Sequence, residues 1–190
     1  QSFMHRYDPN DPGIKKKVTD FSNLLIQQID TMSEVASAFS DFATLPKPNM
    51  KDCDLVELTQ MAVNIFHHEH IVFSSNKAHI YYKLDRTQWV RVITNLVQNA
   101  LQSVPKNRIP QIGVQLFSEP NQIILSIMDN GNGISIENKE KIFEPKFTTK
   151  NSGMGLGLGI VKNIVESHKG TIRCVSKIKK GTTFTITLPK

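Results

Sequence analysis

The sequence is poor in cysteine, and its two cysteines suit neither a disulfide framework nor a zinc site. Cys53 and Cys174 stand far apart, with no Cys-x-x-Cys motif and no histidine pattern beside either of them. This cysteine usage is typical of a protein of the reducing cytosol.

The sequence also lacks a long apolar run. No stretch approaches the roughly 18 residues that a membrane helix needs, and no signal-peptide pattern opens the chain. The first residue is Gln1 rather than Met. We therefore expect the chain to be a piece of a longer protein, whose membrane segments would lie outside it.

Length and charge set broad limits on the class of protein. The 190 residues suit one domain plus an appendage, and 39% hydrophobic residues are enough for a compact α/β core. A total of 23 Lys and Arg residues against 17 Asp and Glu residues gives a net charge of +6. A nucleic-acid surface, a phosphate-handling site or a solvated basic face would each account for it. Because the basic residues are mostly spread along the chain, we favour the solvated face and expect no nucleic-acid partner.

The segment 20–45 has the pattern of a bundle helix. Its apolar residues recur at alternating steps of four and three, a heptad seam that predicts packing against partner helices. The residues of this seam are Leu25, Ile29, Met32, Ala36, Phe39 and Ala43. Pro46 and Pro48 end the helix, because proline lacks the N–H group and forces the preceding residue toward extended geometry. We place the domain boundary after Pro48.

The segment 49–190 predicts a mixed sheet with helices on one side. Two capping boxes, Asp54-Leu-Val-Glu57 and Asp85-Arg-Thr-Gln88, open helices that reach about residues 66 and 103, and a third helix is predicted over 159–167. The predicted strands are 71–74, 79–84, 112–117, 123–128, 171–175 and 183–188. Because most of them are linked as hairpins, we expect an α+β fold rather than a doubly wound sheet.

Two amides lie one turn apart on the predicted long helix, in Asn95-Leu-Val-Gln-Asn99-Ala-Leu-Gln-Ser103. Asn95 and Asn99 project from the same face of that helix. An amide oxygen is a hard, neutral ligand that suits a Mg²⁺ ion already coordinated by phosphates and water. A polar stripe on an amphipathic helix is the alternative, and these residues alone would favour it.

A carboxylate and two glycines directly follow the apolar strand 123–128, in Asp129-Asn-Gly131-Asn-Gly133-Ile134. The glycines let the backbone approach a flat ligand, and Asp129 would accept a hydrogen bond from an exocyclic amine such as that of adenine. An EF-hand loop would need an oxygen-bearing side chain in place of Gly131, and glycine has none. An Asn-Gly hairpin turn is the remaining alternative.

Alternating glycines precede the third helix, in Gly153-Met-Gly155-Leu-Gly157-Leu-Gly159. They would place several N–H groups and a helix N-terminus around one point, which is an anion cradle. The spacing fits neither a Walker A loop nor the dinucleotide fingerprint. Upstream, Phe143 and Phe147 would anchor a mobile flap from which Lys150, or alternatively Lys146, reaches a phosphate. Solvation of both lysines is the third possibility.

In this order and spacing the four segments resemble the sequence boxes of the GHKL ATP-binding superfamily. Within it they are most similar to the catalytic domain of bacterial sensor histidine kinases of the nitrogen-regulation type. The resemblance covers about residues 54–190 and includes Gly181-Thr-Thr-Phe-x-Ile-x-Leu-Pro189. It implies a two-layer α/β sandwich over 49–190 with ATP and Mg²⁺ as cofactors. It also implies phosphoryl transfer from ATP to a histidine, and from there to the receiver domain of a response regulator.

The resemblance assigns roles residue by residue, with Asn99 and Lys150 as the catalytic residues. Asn99 would ligate Mg²⁺, and the same helix would line the nucleotide pocket with Asn95, Gln102 and Ser103. Asp129 would read the adenine amine, in a pocket with Gly131, Gly133, Ile134 and either Thr182 or Thr183. The phosphates would be held by Lys150 and by the backbone of the segment containing Gly153, Gly155, Leu156 and Gly157. The loop 146–154 would be the ATP lid.

The N-terminal segment 1–48 resembles part of the dimerisation and phosphotransfer hairpin of the same kinases: the end of its first helix, a loop and its second helix. This implies a homodimer through the helix bundle of the longer protein, a cytoplasmic location, and membrane attachment only through segments outside this chain. The family's phosphoacceptor is a His followed by an acidic residue and a short stretch ending in Asn-Pro. The chain has no such segment, since Arg6 follows His5. We therefore expect no autophosphorylation of this chain alone.

Three functions are compatible with these residues: a protein-histidine kinase domain, an ATPase of the mismatch-repair, gyrase or chaperone kind, and a non-catalytic nucleotide-binding or dimerisation module. The ATPases of the superfamily carry a Glu, as the general base for water, one turn before the metal-binding Asn. This chain has Asn95 there, and an amide cannot accept a proton at neutral pH. The kinase is therefore favoured over the ATPase.

Overall fold

The computed structural model describes residues 13–43, 46–144, 147 and 155–190 of the chain. The chain divides into two compact units, Gln1–Thr44 and Leu45–Lys190. The described part of the first unit is one helix, α1 (Ile14–Ala43). It begins at Ile14 rather than at residue 20, because the lysine run ahead of the apolar seam consists of good helix formers.

The first half of the predicted seam is exposed in this single chain. Leu25, Ile29 and Met32 have exposed fractions of 45%, 63% and 70%. The side chains of the other seam residues, Ala36, Phe39 and Ala43, lie outside the described residues. Among the helices that the structure describes, none is long and apolar enough to cross a bilayer.

The second unit contains a mixed five-stranded sheet of order β2-β4-β5-β7-β6 and a separate antiparallel pair, β1–β3. In the larger sheet, β2 runs parallel to β4 and the other neighbours are antiparallel. The strands are β1 (Lys51–Asp54), β2 (Ile71–Ser75), β3 (Tyr81–Leu84), β4 (Ile112–Ser118), β5 (Gln122–Asp129), β6 (Thr171–Lys177) and β7 (Gly181–Pro189).

The described residues of the second unit form four helices: α2 (Leu55–Asn64), α3 (Arg86–Ser103), α4 (Ile136–Lys139) and α5 (Gly157–Ser167). Both predicted caps form. Asp54 Oδ1 accepts from the Val56 N–H at 3.0 Å, and Asp85 Oδ1 accepts from the Gln88 N–H at 2.9 Å. These bonds satisfy N–H groups that have no partner within the helix, so α2 and α3 begin at the predicted residues.

The sheet and the helices form two layers with the core between them. Along β5, the buried residues Ile123, Leu125 and Ile127 alternate with half-buried ones, so only one face of the sheet is covered. Helix α3 lies centrally, packing against α2, α5 and β5. Its fully buried side chains include Trp89, Ile93 and Leu96. This two-layer α/β sandwich confirms the fold predicted from the sequence.

Two elements and one pairing were not predicted. Strand β1 has the polar sequence Lys-Asp-Cys-Asp and no apolar alternation, and α4 is only four residues long. The parallel pairing of β2 with β4 depends on a crossover through β3 and α3, which periodicity does not reveal.

Candidate functional site

Three of the four sequence segments are connected through α3. They are the C-terminal half of α3, the loop that follows Asp129, and the start of α5. Ser103 Oγ lies 2.9 Å from Asp129 Oδ1, which joins α3 to the loop. Asn95 Oδ1 lies 2.9 Å from the position that a Cβ atom on Gly157 would occupy, which brings α3 close to the first residue of α5.

The carboxylate of Asp129 is held at the end of β5 by its own loop and by α3. Its Oδ1 accepts a hydrogen bond from the Gly131 N–H at 2.7 Å in addition to the contact with Ser103. The loop is joined to α3 a second time, because the Asn132 N–H donates to the Ser103 carbonyl oxygen at 2.9 Å. An acidic side chain is thus fixed in orientation at a strand end, where it can accept a hydrogen bond from a ligand.

The two glycines of this loop are required by space and by backbone conformation. A Cβ atom on Gly131 would overlap the Ser103 hydroxyl and lie 2.7 Å from Asp129 Oδ1. Gly133 has a φ of +71°, which other residues rarely adopt, and a Cβ there would overlap the Lys177 carbonyl oxygen. The loop therefore fits closely between α3 and the β6–β7 turn.

Residues outside the predicted segments support this loop. On one side the Arg108 guanidinium donates to the carbonyl oxygens of Asn130 and Gly131. On the other side Ser176 Oγ accepts from the Ile134 N–H at 2.8 Å. Sequence reasoning missed both residues: Arg108 lies in a turn after α3, and Ser176 falls beyond the predicted end of its strand.

Either Thr182 or Thr183 was predicted to line the adenine pocket, and the structure places them on opposite faces of the sheet. Thr182 is buried, pairs with Asp129 across β7 and β5, and lies 2.9 Å from Ser176 Oγ through its Oγ1. Thr183 pairs with Met128 instead. Because successive side chains alternate between the faces of a strand, Thr183 lies on the face of the sheet opposite to Asp129.

The two amides of α3 are both half-buried. Asn95 Nδ2 donates to the carbonyl oxygen of Arg91, one turn back, at 2.8 Å. This bond leaves the Asn95 carbonyl oxygen directed toward α5. Gln102 lies in the last turn of the helix and is exposed.

The start of α5 has the properties of an anion site. No side chain of the described residues caps this helix, and Gly155 just ahead of it has a φ of +66°. The first N–H groups of a helix have no partner within the helix, and Gly155 and Gly157 place no side chain of their own beside them. Leu156 is buried and Gly157 is half-buried. Of the predicted phosphate-binding residues, Lys150 and Gly153 lie outside the described part of the chain, as does Lys146 and nearly all of the predicted lid.

The candidate site fits a Mg²⁺ ion that is bound together with the phosphates of a nucleotide. Within the described ranges, no three His, Cys, Asp or Glu side chains come together to hold a metal ion. An amide oxygen such as that of Asn99 would need the remaining oxygen ligands from phosphates and water, which is how Mg²⁺ is commonly bound.

The fold and site together define a nucleotide-binding domain of the GHKL type. Residues 84–190 match the model of the histidine kinase-, DNA gyrase B- and HSP90-like ATPase family. The chain belongs to this family.

Within the family, the similarity is to bacterial sensor histidine kinases. The catalytic domain of histidine kinase ThkA superimposes with a TM-score of 0.68 at 30% identity, covering 75% of this chain and 96% of that one. ThkA in complex with response regulator protein TrrA matches with a TM-score of 0.71 at 25% identity, covering 100% of this chain and 56% of that one.

A curated relative is the putative sensor histidine kinase NtrY-like of Rickettsia conorii. It is 33% identical over 177 residues, which are 90% of this chain and 29% of the relative. The chain spans about a quarter to a third of the length of the curated relatives that it matches first. These matches confirm the predicted resemblance to sensor kinases of the nitrogen-regulation type.

Proposed function

We propose that this chain is the ATP-binding catalytic part of a two-component sensor histidine kinase, which transfers the ATP γ-phosphoryl group to a histidine on a dimerisation helix. The observation that carries the proposal is the fixed carboxylate of Asp129 beside a glycine loop. The Asp129 carboxylate lies beside Ser103 of α3. The start of α5, which no described side chain caps, lies beside Asn95 of the same helix. A base-reading acceptor and an anion site are the two contacts that a nucleoside triphosphate needs.

Each residue has a distinct part in holding the nucleotide. Asp129 would accept from the exocyclic amine of adenine, with Thr182 beside it on the neighbouring strand. The N–H groups at Gly155–Gly157, together with Lys150, would bind the phosphates. Asn99 would supply the protein ligand to Mg²⁺, which neutralises phosphate charge when it is bound. Phosphoryl transfer depends mostly on positioning and charge neutralisation, so these residues need not themselves react.

The position of Asn95 supports a kinase over an ATPase. Its amide nitrogen already donates to the Arg91 carbonyl oxygen, and an amide cannot take a proton from water at neutral pH. Hydrolysis by an activated water is therefore disfavoured, and a nucleophile from another helix is favoured.

The N-terminal helix and the relatives support the proposed partners. The exposed seam of Leu25, Ile29 and Met32 suits a homodimeric helix bundle over residues 1–48. A response regulator receiver domain would accept the phosphoryl group, as the complex formed by ThkA suggests. Because ATP and response regulators are cytoplasmic, we place the chain in the cytoplasm, with sensing and membrane segments outside it.

Calorimetric titration with Mg-ATP and Mg-GTP tests the nucleotide part of this proposal. The unmodified chain should bind ATP more tightly than GTP, and Asp129→Asn should weaken ATP binding by about tenfold to a hundredfold, because one charged hydrogen bond is lost. Asp52→Asn, an exposed position on β1, is the matched control and should bind ATP normally. Equal affinity of the unmodified chain for ATP and GTP would contradict the role of Asp129.

A further inference from the structure

Ser103 contacts the base-reading loop through both its side chain and its backbone. It is the last residue of α3, and its hydroxyl lies 2.9 Å from Asp129 Oδ1. Its carbonyl oxygen accepts the Asn132 N–H at 2.9 Å. The final turn of α3 is thereby attached to the loop on both sides of Gly131.

The hydroxyl proton of Ser103 has two acceptors within reach. The Ala100 carbonyl oxygen lies at 2.8 Å and the Asp129 carboxylate at 2.9 Å. An ionised carboxylate is the stronger acceptor. Since Asp129 Oδ1 also receives the Gly131 N–H at 2.7 Å, two donors from different elements converge on one carboxylate oxygen. Two converging donors fix the rotation of the carboxyl group about its side-chain bonds.

The absence of a side chain on Gly131 leaves the space that this arrangement occupies. A Cβ atom there would overlap the Ser103 hydroxyl and approach Asp129 Oδ1 to 2.7 Å. The contact between Ser103 and Asp129 is therefore built into the fold of the loop, and it is not a chance approach of two exposed side chains, since both are half-buried.

We propose that Ser103 is a positioning residue for nucleobase specificity, whose hydroxyl orients the Asp129 carboxylate toward the exocyclic amine of the base. Ser103 follows Asn99 by four residues, about 6 Å along the helix axis. The last turn of α3 would therefore fix the distance between the Asp129 carboxylate, which reads the base, and the Asn99 amide, which binds the metal. This inference rests on the proposed function, because it specifies how that site recognises adenine.

The experiment compares two nucleotides that differ at the group in question. ATP and purine riboside 5′-triphosphate, which lacks the 6-amino group, are titrated with Mg²⁺ into the unmodified chain and into Ser103→Ala. If Ser103 acts through Asp129, the variant should lose about threefold to tenfold in ATP affinity and less than about twofold for the analogue. The Asp129→Asn change should cost less in the Ser103→Ala background than in the unmodified chain.

Ser167→Ala is the matched control. Ser167 is the last residue of α5, and its hydroxyl donates to Ile164 O at 2.7 Å, the same local bond that Ser103 makes to Ala100. It lies outside the site, so its loss should leave both affinities unchanged. Ser103→Thr keeps the hydroxyl and should bind ATP within about twofold of the unmodified chain, which also separates loss of the hydroxyl from loss of folding.

The outcomes separate this inference from the proposed function. Equal losses for ATP and the analogue in Ser103→Ala, or a loss in Ser103→Thr as large as in Ser103→Ala, would overturn the positioning role. Failure of the unmodified chain to bind ATP, or to distinguish it from the analogue, would instead contradict the proposed function itself.

Discussion

The backbone N–H of Asp85 donates to Nε2 of His168 at 3.0 Å, which ties the start of α3 to the end of α5. The imidazole is buried, and its Nδ1 lies 2.8 Å from the carbonyl oxygen of Ile164. These partners assign a neutral ring that carries its proton on Nδ1. Helix α3, which carries Asn95 and Asn99, and helix α5, which begins at Gly157, are therefore joined at their ends opposite to the candidate site.

The carboxylate of Asp85, which caps the start of α3, makes a pH-dependent contribution to the stability of the fold. Burial would raise its pKa, but hydrogen bonds from the N–H groups of Gln88, Asn49 and Thr87 outweigh burial and hold the pKa below its ordinary value. A native pKa below that of the unfolded chain stabilises the fold above about pH 4, and the contribution is lost as pH falls through the native pKa.

We therefore expect Asp85→Asn to lower the free energy of unfolding by about 1–2 kcal/mol at pH 7 and by less at pH 3. An amide still caps the helix, but it lacks the charge and cannot accept with both terminal atoms. Urea unfolding followed by the fluorescence of Trp89, the single tryptophan, measures both values. A difference independent of pH would contradict the role of the charge.

The sequence predicted the elements whose signals are local. Asp85 and Gln88 form a capping box before an apolar helical face, so the start of α3 was predicted correctly. Asp129 and Gly131 were predicted to lie in one site, because a polar strand end followed by glycines is a local pattern. The choice between Thr182 and Thr183 was not accessible, since it depends on the register between β5 and β7.

The residues that support the candidate site from distant parts of the chain were not predictable either, because their contacts also depend on the tertiary structure. Arg108 is one of many basic residues, and only the fold brings its guanidinium to the carbonyl oxygens of the loop after β5. Ser176 likewise acquires its role through the β6–β7 turn, where it accepts from the Ile134 N–H. Neither residue type carries a distinctive signal in isolation.

Gly131→Ala should abolish most nucleotide binding while leaving the fold intact. The added methyl group would displace the Ser103 hydroxyl and crowd Asp129 Oδ1, so ATP affinity should fall by about tenfold or more. Gly113→Ala is the matched control, because its Cβ would meet only the flexible end of Met128, at 3.0 Å. Calorimetry gives the affinities and urea unfolding gives the stabilities. Unchanged ATP affinity in Gly131→Ala would show that the loop does not contact the base.

Asn99→Ala should remove the dependence of nucleotide binding on Mg²⁺. The unmodified chain should bind ATP more tightly with Mg²⁺ than with a chelator present, and the ratio should fall by about tenfold or more in the variant because a metal ligand is lost. Gln98→Ala changes the exposed neighbouring residue and should keep the ratio. The same Mg²⁺ enhancement in Asn99→Ala and in the unmodified chain would contradict the assignment of the ligand.

The last prediction concerns phosphoryl transfer, which needs a histidine held in line with the γ-phosphate. Three histidines of the second unit already have contacts of their own. His168 is buried with both ring nitrogens engaged, and His79 Nδ1 lies 2.6 Å from Asp54. His68 Nδ1 accepts the His70 N–H in the turn before β2. We expect this chain alone to bind γ-labelled ATP without forming acid-labile, base-stable phosphate.

A longer chain that carries a histidine-bearing dimerisation helix upstream of this sequence should become labelled, because the exposed residues of the α1 seam are available to pack against that helix. Replacing the histidine of that helix by Gln, or introducing Asn99→Ala into the longer chain, should abolish the label for different reasons: one removes the nucleophile and the other the metal ligand. Robust labelling of the 190-residue chain mapped to His67, His68 or His70 would show that the phosphoacceptor lies in the catalytic unit itself.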